Sequence, residues 1–128
     1  MKFAANLLVA IHNVSSAEAV ILARRSGLDP ALAVQVLGDG AGSSRMLQVR
    51  GPMMVRRSYL PATVTNQIWR KDMKIIGEFA RMLKSPTPLF SATKAIYNAA
   101  MAQGHARDDT ASVCAVLERR PARPSKRR

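Results

Sequence analysis

Residue types on which many functional sites depend are scarce in this chain of 128 residues. It has one cysteine, two histidines and six aromatic residues. Because Cys114 has no partner, the sequence excludes an internal disulfide framework. His12 and His105 lie far apart, and neither belongs to a His, Cys and Asp cluster with the spacing of metal ligands, so we expect no metal site. The few aromatic residues lie at helical core spacing and are not interleaved with basic ones, a pattern that argues against base stacking on nucleic acid.

Acidic residues are also scarce, with 8 Asp and Glu against 20 Lys and Arg and a net charge of +12. Such an excess attracts acidic substrates or nucleic acid before any specific contact forms. Residues 119–128 hold six of the 20 basic residues, no acid, two prolines and nothing apolar larger than alanine. We therefore predict a disordered basic tail at 119–128 and a single domain over 1–118. A small basic nucleic-acid-binding module remains an alternative.

Long hydrophobic runs are missing as well. No 18 consecutive apolar residues occur, so we expect no membrane span and a cytoplasmic protein. The start of the chain imitates a secretory signal peptide, with Lys2, an apolar stretch to Ile11 and a possible cleavage site at Ala17-Glu18-Ala19. Against that interpretation, Asn6 interrupts the stretch and the apolar pattern continues past the supposed cleavage site.

What the sequence does contain is apolar residues at spacings of three and four, the period of α-helices. No strand candidate is found, because no apolar run alternates with polar residues around an Asn-Gly or Asp-Gly turn. The sequence predicts an all-α domain of about six helices in which Cys114 is a small core residue. The predicted helical segments are 2–26, a short stretch after Asp29-Pro30, one capped by Ser43 or Ser44 that runs through Arg50, 53–57, 65–84, 89–103 and a last one capped by Asp108-Asp109.

Two pairs of polar residues are candidates for chemistry. Lys2 and Asn6 are four apart, which places an ammonium and an amide on one helix face, where they could hold a hydroxy acid. Lys71-Asp72 lies at what the pattern predicts to be the buried edge of the 65–84 helix, an uncommon place for a cation. The ordinary alternative in both cases is a lysine whose stem lies on the surface and whose charge meets water. The glycines at 38–42 follow a helix rather than a strand, which argues against a phosphate loop.

Five short motifs, in order, give the chain a family resemblance. It resembles the C-terminal helical domain of the β-hydroxyacid dehydrogenases, the 3-hydroxyisobutyrate dehydrogenase family related to 6-phosphogluconate dehydrogenase. The motifs are Lys2-Phe3-Ala4-Ala5-Asn6, Ser26-Gly27-Leu28-Asp29-Pro30, Gly40-Ala41-Gly42-Ser43-Ser44, Arg50-Gly51-Pro52-Met53-Met54 and Lys71-Asp72.

The resemblance implies roles for three residues. Lys2 corresponds to the family's catalytic lysine, Asn6 to its substrate-binding asparagine and Lys71 to the lysine that approaches the nicotinamide side of the cofactor. Ala5 departs from the pattern, since the family usually has asparagine there. A lysine of this kind exchanges the hydroxyl proton of the substrate as the hydride moves. It does so well near neutral pH only when enclosure in a cleft lowers the ammonium pKa from its usual value of about 10.4.

The resemblance also implies parts that this sequence does not contain. The family holds NAD or NADP mainly with an N-terminal Rossmann domain, and no Gly-x-Gly-x-x-Gly following a strand occurs here. We expect a chain that is inactive by itself, acts on a small hydroxy acid together with the missing Rossmann domain, and forms a homo-oligomer, for which a dimer is expected. A purely structural dimerisation module is a further alternative.

Overall fold

The computed structural model describes residues 1–119. Nearly all of the predicted basic tail lies outside the described residues. Between 1 and 119 the chain forms α-helices and one 3-10 turn but no strand, so the all-α prediction is confirmed for this part. The elements are α1 Lys2–Arg25, α2 Pro30–Gly38, α3 Arg45–Arg56, α4 Asn66–Met82, α5 Pro88–Ala102, a 3-10 turn at Thr110–Ser112 and α6 Val113–Arg119.

Three helices begin at side-chain caps. Asp29 accepts a hydrogen bond from the backbone N–H of Ala31 at 3.1 Å, and Pro30 follows as the first helical residue. Ser44 and Thr65 cap α3 and α4 in the same way. Each cap satisfies an N–H that has no partner within the helix. The start predicted at Asp29 is therefore confirmed, and of the two caps predicted for the third helix, Ser43 and Ser44, the structure uses Ser44.

The predicted end of a helix at Gly51-Pro52 is wrong. α3 continues through both residues, and Pro52 lies inside it at the loss of one backbone hydrogen bond. Gly51 is buried, and a Cβ built on it would lie 2.9 Å from Cγ1 of Val34 in α2. This glycine therefore permits the close approach of two helices rather than ending one.

α1 is the central helix, and it packs against all five other α-helices. Its buried face carries small and branched residues, among them Ala10, Val14 and Val20. By length and composition alone, α1 could also cross a membrane, since it has 24 residues and a mean hydropathy of 1.4 over an 18-residue stretch. The central helix of a packed domain passes the same test, and 39% of this stretch of α1 is buried in the domain.

A buried ion pair lies beside the start of α4. Asp109 is fully buried, and its Oδ1 lies 2.8 Å from Nε of Arg50, itself 5% exposed. The carboxylate also accepts hydrogen bonds from the N–H groups of Thr63 and Ala111, at 2.9 and 2.8 Å. Burial alone would raise the pKa of Asp109, but these hydrogen bonds and the charge of Arg50 outweigh it, so the pKa is lowered. The pair thus ties α3 to the 57–65 loop and the 3-10 turn.

Candidate functional site

A groove of about 710 Å³ runs between α4 and α5. Its volume is in the range of small-molecule sites. It is a concave feature that could hold a ligand. The α4 side contributes every third or fourth residue, which is the spacing of one helix face. The lining residues are Asn66, Gln67, Arg70, Lys71, Met73, Lys74, Gly77, Glu78 and Arg81 from α4, and Lys94, Tyr97, Asn98 and Met101 from α5.

The charge of this groove is strongly one-sided. Five of its side chains are cationic and a single one, Glu78, is acidic. Within residues 1–119, the four ion pairs closer than 4.0 Å join other side chains, so no groove cation is paired with a carboxylate. The ion pair that the four-residue spacing of Lys74 and Glu78 predicts is not formed. The groove therefore keeps an uncompensated positive charge facing its open space.

Lys94 is the groove cation on α5, and it is half-buried. Its Nζ lies 5.7 Å from the centroid of the Phe90 ring, a cation–π contact. Gly77 of α4 faces it, and a Cβ built on that glycine would lie 3.2 Å from Nζ. Glycine at position 77 leaves the room in which the ammonium lies against α4.

The wall beneath the charges is rigid and neutral. Tyr97 is buried, its hydroxyl donates to the carbonyl of Ala10 at 2.8 Å, and it accepts from Nδ2 of Asn13 at 3.1 Å. Burial raises the pKa of Tyr97, so the phenol remains protonated across the physiological range. Asn66, 2% exposed, donates to the carbonyl of His105 at 2.9 Å and holds the start of α4. The α4 and α5 walls are thus fixed to the core.

Lys71 lines this groove, but it is solvent-exposed. The prediction that it lies at a buried edge of its helix is wrong, because the buried face of α4 is formed by Trp69, Met73 and Ile76. Asp72, next to it, is half-buried.

Lys2 and Asn6 lie on the first two turns of α1, one turn apart as predicted. Lys2 is exposed and Asn6 is half-buried, and neither lines the groove. Phe3, between them, contacts Phe79 of α4 edge to face, with ring centroids 4.9 Å apart. The start of α1 is therefore fixed beside the second half of α4, while Lys71 belongs to the groove on the α5 side.

Sequence reasoning missed the groove itself. Arg70, Lys74 and Arg81 share the spacing of one face of α4, but such a face is usually a solvated one. What makes it a site is Lys94, which comes from α5 across the groove. Lys94 is more than a dozen residues from the cations of α4, so no local sequence pattern indicates that they share a groove.

Three further kinds of group bear on metal binding and catalysis: His, Cys and acidic clusters, the single cysteine, and a His–Asp pair. No group of three or more His, Cys, Asp or Glu side chains is placed to hold a metal ion within this part of the chain. Cys114 is fully buried, as predicted, and burial raises the pKa of its thiol to about 11. It therefore stays protonated and unreactive at neutral pH. Nδ1 of His105 lies 2.8 Å from Oδ2 of Asp108.

Comparison with known proteins identifies the group to which these features belong. Residues 1–117 match the family model described as "NAD-binding of NADP-dependent 3-hydroxyisobutyrate dehydrogenase". The chain is 31% identical over 117 residues to the L-threonate dehydrogenase of Cupriavidus necator, and 29% identical over 118 residues to the chloroplastic glyoxylate/succinic semialdehyde reductase 2 of Arabidopsis thaliana. A crystal structure of 3-hydroxyisobutyrate dehydrogenase from Salmonella typhimurium superposes with a TM-score of 0.84 at 28% identity.

The match covers most of this chain but a minority of each relative. It takes in 91% of this chain and 39% of the L-threonate dehydrogenase, 92% and 33% of the plant reductase, and 90% and 40% of the Salmonella chain. The helical fold expected from the resemblance is confirmed by this superposition. The family description attributes NAD binding to the matched segment, although residues 1–119 contain no Rossmann sheet.

Proposed function

The chain belongs to the NADP-dependent 3-hydroxyisobutyrate dehydrogenase family, and we propose that it forms the helical domain that follows a Rossmann domain in such an enzyme. The reaction is the NAD(P)-dependent oxidation of a small β-hydroxy acid or reduction of its semialdehyde. The observation that carries the proposal is the family match over residues 1–117 together with Lys2 and Asn6 one turn apart on α1.

In this proposal Lys2 exchanges the proton of the substrate hydroxyl, and Asn6 hydrogen-bonds the hydroxyl or the carboxylate of the substrate. The Phe3–Phe79 contact supports these roles, because it holds the first turn of α1 in place against α4. Lys2 is exposed in the described chain. Closure of a second domain over it would exclude water and favour the proton exchange.

The described residues fit a dinucleotide only as one wall of its site. Residues 1–119 contain no strand, so they cannot build the strand-to-helix phosphate turn of a Rossmann domain. We propose that another domain holds most of NAD or NADP and that the exposed ammonium of Lys71 contacts it. When bound, the nicotinamide ring accepts or supplies the hydride.

Assays of this chain alone and of the chain fused to a Rossmann domain from a family member test the proposal. The substrates are 3-hydroxyisobutyrate, L-threonate, glyoxylate and 2-hydroxy-3-oxopropionate with each nicotinamide cofactor. We expect no turnover by the chain alone and turnover by the fusion. In the fusion, Lys2→Met should lower kcat by about 10²- to 10⁴-fold, the usual contribution of general acid–base catalysis.

The matched control is Arg25→Met, which removes another exposed cation of α1 far from Lys2. It should leave kcat unchanged. Turnover by the chain alone, or equal effects of the two substitutions in the fusion, would contradict the proposal.

We also propose that the domain forms a homo-oligomer. α2 supports this, because no residue of the helix is buried and its apolar side chains Leu32, Val36 and Leu37 are exposed. Contiguous apolar surface of this kind commonly marks an interface. Light scattering should show a dimer or larger species, and Leu32→Glu with Val36→Glu should convert it to a monomer. A monomeric wild-type chain would overturn this part.

A further inference from the structure

We propose that the α4–α5 groove binds a multiply charged phosphate anion, such as a polyphosphate or a phosphate ester, at a site separate from Lys2 and Asn6. The inference does not require dehydrogenase activity, although the groove shares Lys71 with the cofactor contact proposed above. It rests on the shape, the charge and the unpaired state of the groove lined by Arg70, Lys71, Lys74, Arg81 and Lys94.

The number of charges indicates the class of ligand. Five cations against Glu78 leave an excess of four positive charges around about 710 Å³. A monocarboxylate would neutralise one of them, whereas a polyphosphate carries several negative charges close together. Arginine and lysine are the residues that usually bind phosphate oxygens, arginine as a planar fork and lysine as a point charge.

The same charges are unfavourable in the empty groove. Arg70 and Lys74 are four apart on α4, and Lys71 and Lys74 are three apart, so the ammonium and guanidinium groups repel each other along one face. Within residues 1–119 no carboxylate lies within 4.0 Å of any of them. A bound polyanion would neutralise these charges and remove the repulsion. The free energy of repulsion in the empty groove therefore favours binding.

The position of Lys94 shows that the groove is shaped around a charge. Gly77 leaves space for its Nζ, and the Phe90 ring lies 5.7 Å from it, but no acidic partner is supplied. Gln67 and Asn98 add neutral hydrogen-bonding groups to the same groove. Cations from two facing helices can contact a ligand from both sides.

A concave site favours a small anion over nucleic acid. A nucleic-acid backbone needs an extended basic track or aromatic side chains for its bases. The only aromatic residue that lines the groove is Tyr97, which is buried and hydrogen-bonded to Ala10 and Asn13.

Calorimetric titration of the full-length chain with inorganic triphosphate at low salt tests the proposal. We expect saturable one-to-one binding, and we expect Lys74→Gln with Lys94→Gln to weaken it by at least about tenfold, because hydrogen bonds from charged donors are lost. The matched control, Arg45→Gln with Arg56→Gln, removes two exposed cations of α3 outside the groove. It should weaken binding by less than about twofold.

Other probes separate the sources of phosphate and the competing classes of ligand. NADP, NAD and a short single-stranded oligonucleotide are titrated in parallel, and thermal unfolding verifies that each variant is folded. If triphosphate displaces NADP, and if the Lys74→Gln, Lys94→Gln variant binds neither, a phosphate of the nucleotide occupies the groove and the proposal is supported. No binding of triphosphate, equal weakening by the control pair, or groove-dependent binding of the oligonucleotide without triphosphate would overturn it.

Discussion

Charged residues are used in opposite ways at two places in this domain. Around Asp109 the charges are buried, paired and fully hydrogen-bonded, and they join segments that are far apart in sequence. In the α4–α5 groove the charges share one sign, face solvent and have no carboxylate partner within 4.0 Å among residues 1–119. The first arrangement holds the fold together. The second disfavours the empty fold slightly, because like charges repel along one helix face, and it is suited to a ligand.

The largest effect should come from breaking the buried pair. Asp109→Ala leaves Arg50 buried without a counter-charge and leaves the N–H groups of Thr63 and Ala111 without an acceptor. We expect the free energy of unfolding to fall by about 3–5 kcal/mol. Urea unfolding measures it. Asp108→Ala, which removes a part-exposed partner of His105, should cost about 0–1 kcal/mol, and equal losses for the two variants would contradict the contrast.

Acid should produce a smaller effect at the same place. The pKa of Asp109 is lowered in the folded chain, so its contribution to stability is fully present above the unfolded value of about 3.9. The contribution is lost as the pH falls through the lower, folded value, because the carboxylate must then be protonated. Urea unfolding between about pH 7 and pH 2 should show this loss, and Asp109→Asn should reduce the pH dependence. An unchanged slope in that variant would show that other carboxylates cause the acid effect.

The helical architecture could be predicted from local signals. The period of apolar residues, the caps at Asp29 and Ser44 and the glycine after α1 act within a few residues, and each is visible in the sequence. The error at Gly51-Pro52 has a tertiary cause. Contact with Val34 of α2 stabilises a helix that the local proline penalty disfavours.

The charged sites could not be predicted in the same way. Arg50 and Asp109 are 59 residues apart, and neither carries a local sign of its partner. The sequence pattern predicts that Lys71 lies at a buried helix edge. In the structure Lys71 is exposed, yet it lines the groove. The groove exists only because α5 brings Lys94 opposite α4, which is a property of packing and not of spacing along one helix.

Substituting two glycines should change stability by an intermediate amount. Gly51 lies at the packed α2–α3 contact and Gly77 in the wall of the groove. At Gly51 the new Cβ of alanine would meet the stiff Val34 side chain at 2.9 Å, so overpacking should outweigh the better helix propensity and destabilise by about 1 kcal/mol or more. At Gly77 it would meet the mobile end of Lys94 at 3.2 Å, so Gly77→Ala should stabilise by about 0.5–1 kcal/mol. Thermal unfolding measures both. Destabilisation by Gly77→Ala comparable to that of Gly51→Ala would mean that the groove wall is as tightly packed as the α2–α3 contact.

The smallest effect should be a gain of stability in the groove. Lys74→Gln removes the cation that lies three residues from Lys71 and four from Arg70, so at low salt the chain should be stabilised by about 0.2–0.5 kcal/mol. The gain should vanish at about 1 M salt, where charges separated by more than about 3 Å are screened. Lys84→Gln is the control, because Lys84 follows the carboxyl end of α4, where a positive charge is favourable, and its removal should slightly destabilise. Opposite signs for Lys74 on α4 and Lys84 just beyond its end would show that the groove charges are a cost to the empty fold. A loss of stability for Lys74→Gln would mean that Lys74 has a stabilising partner instead.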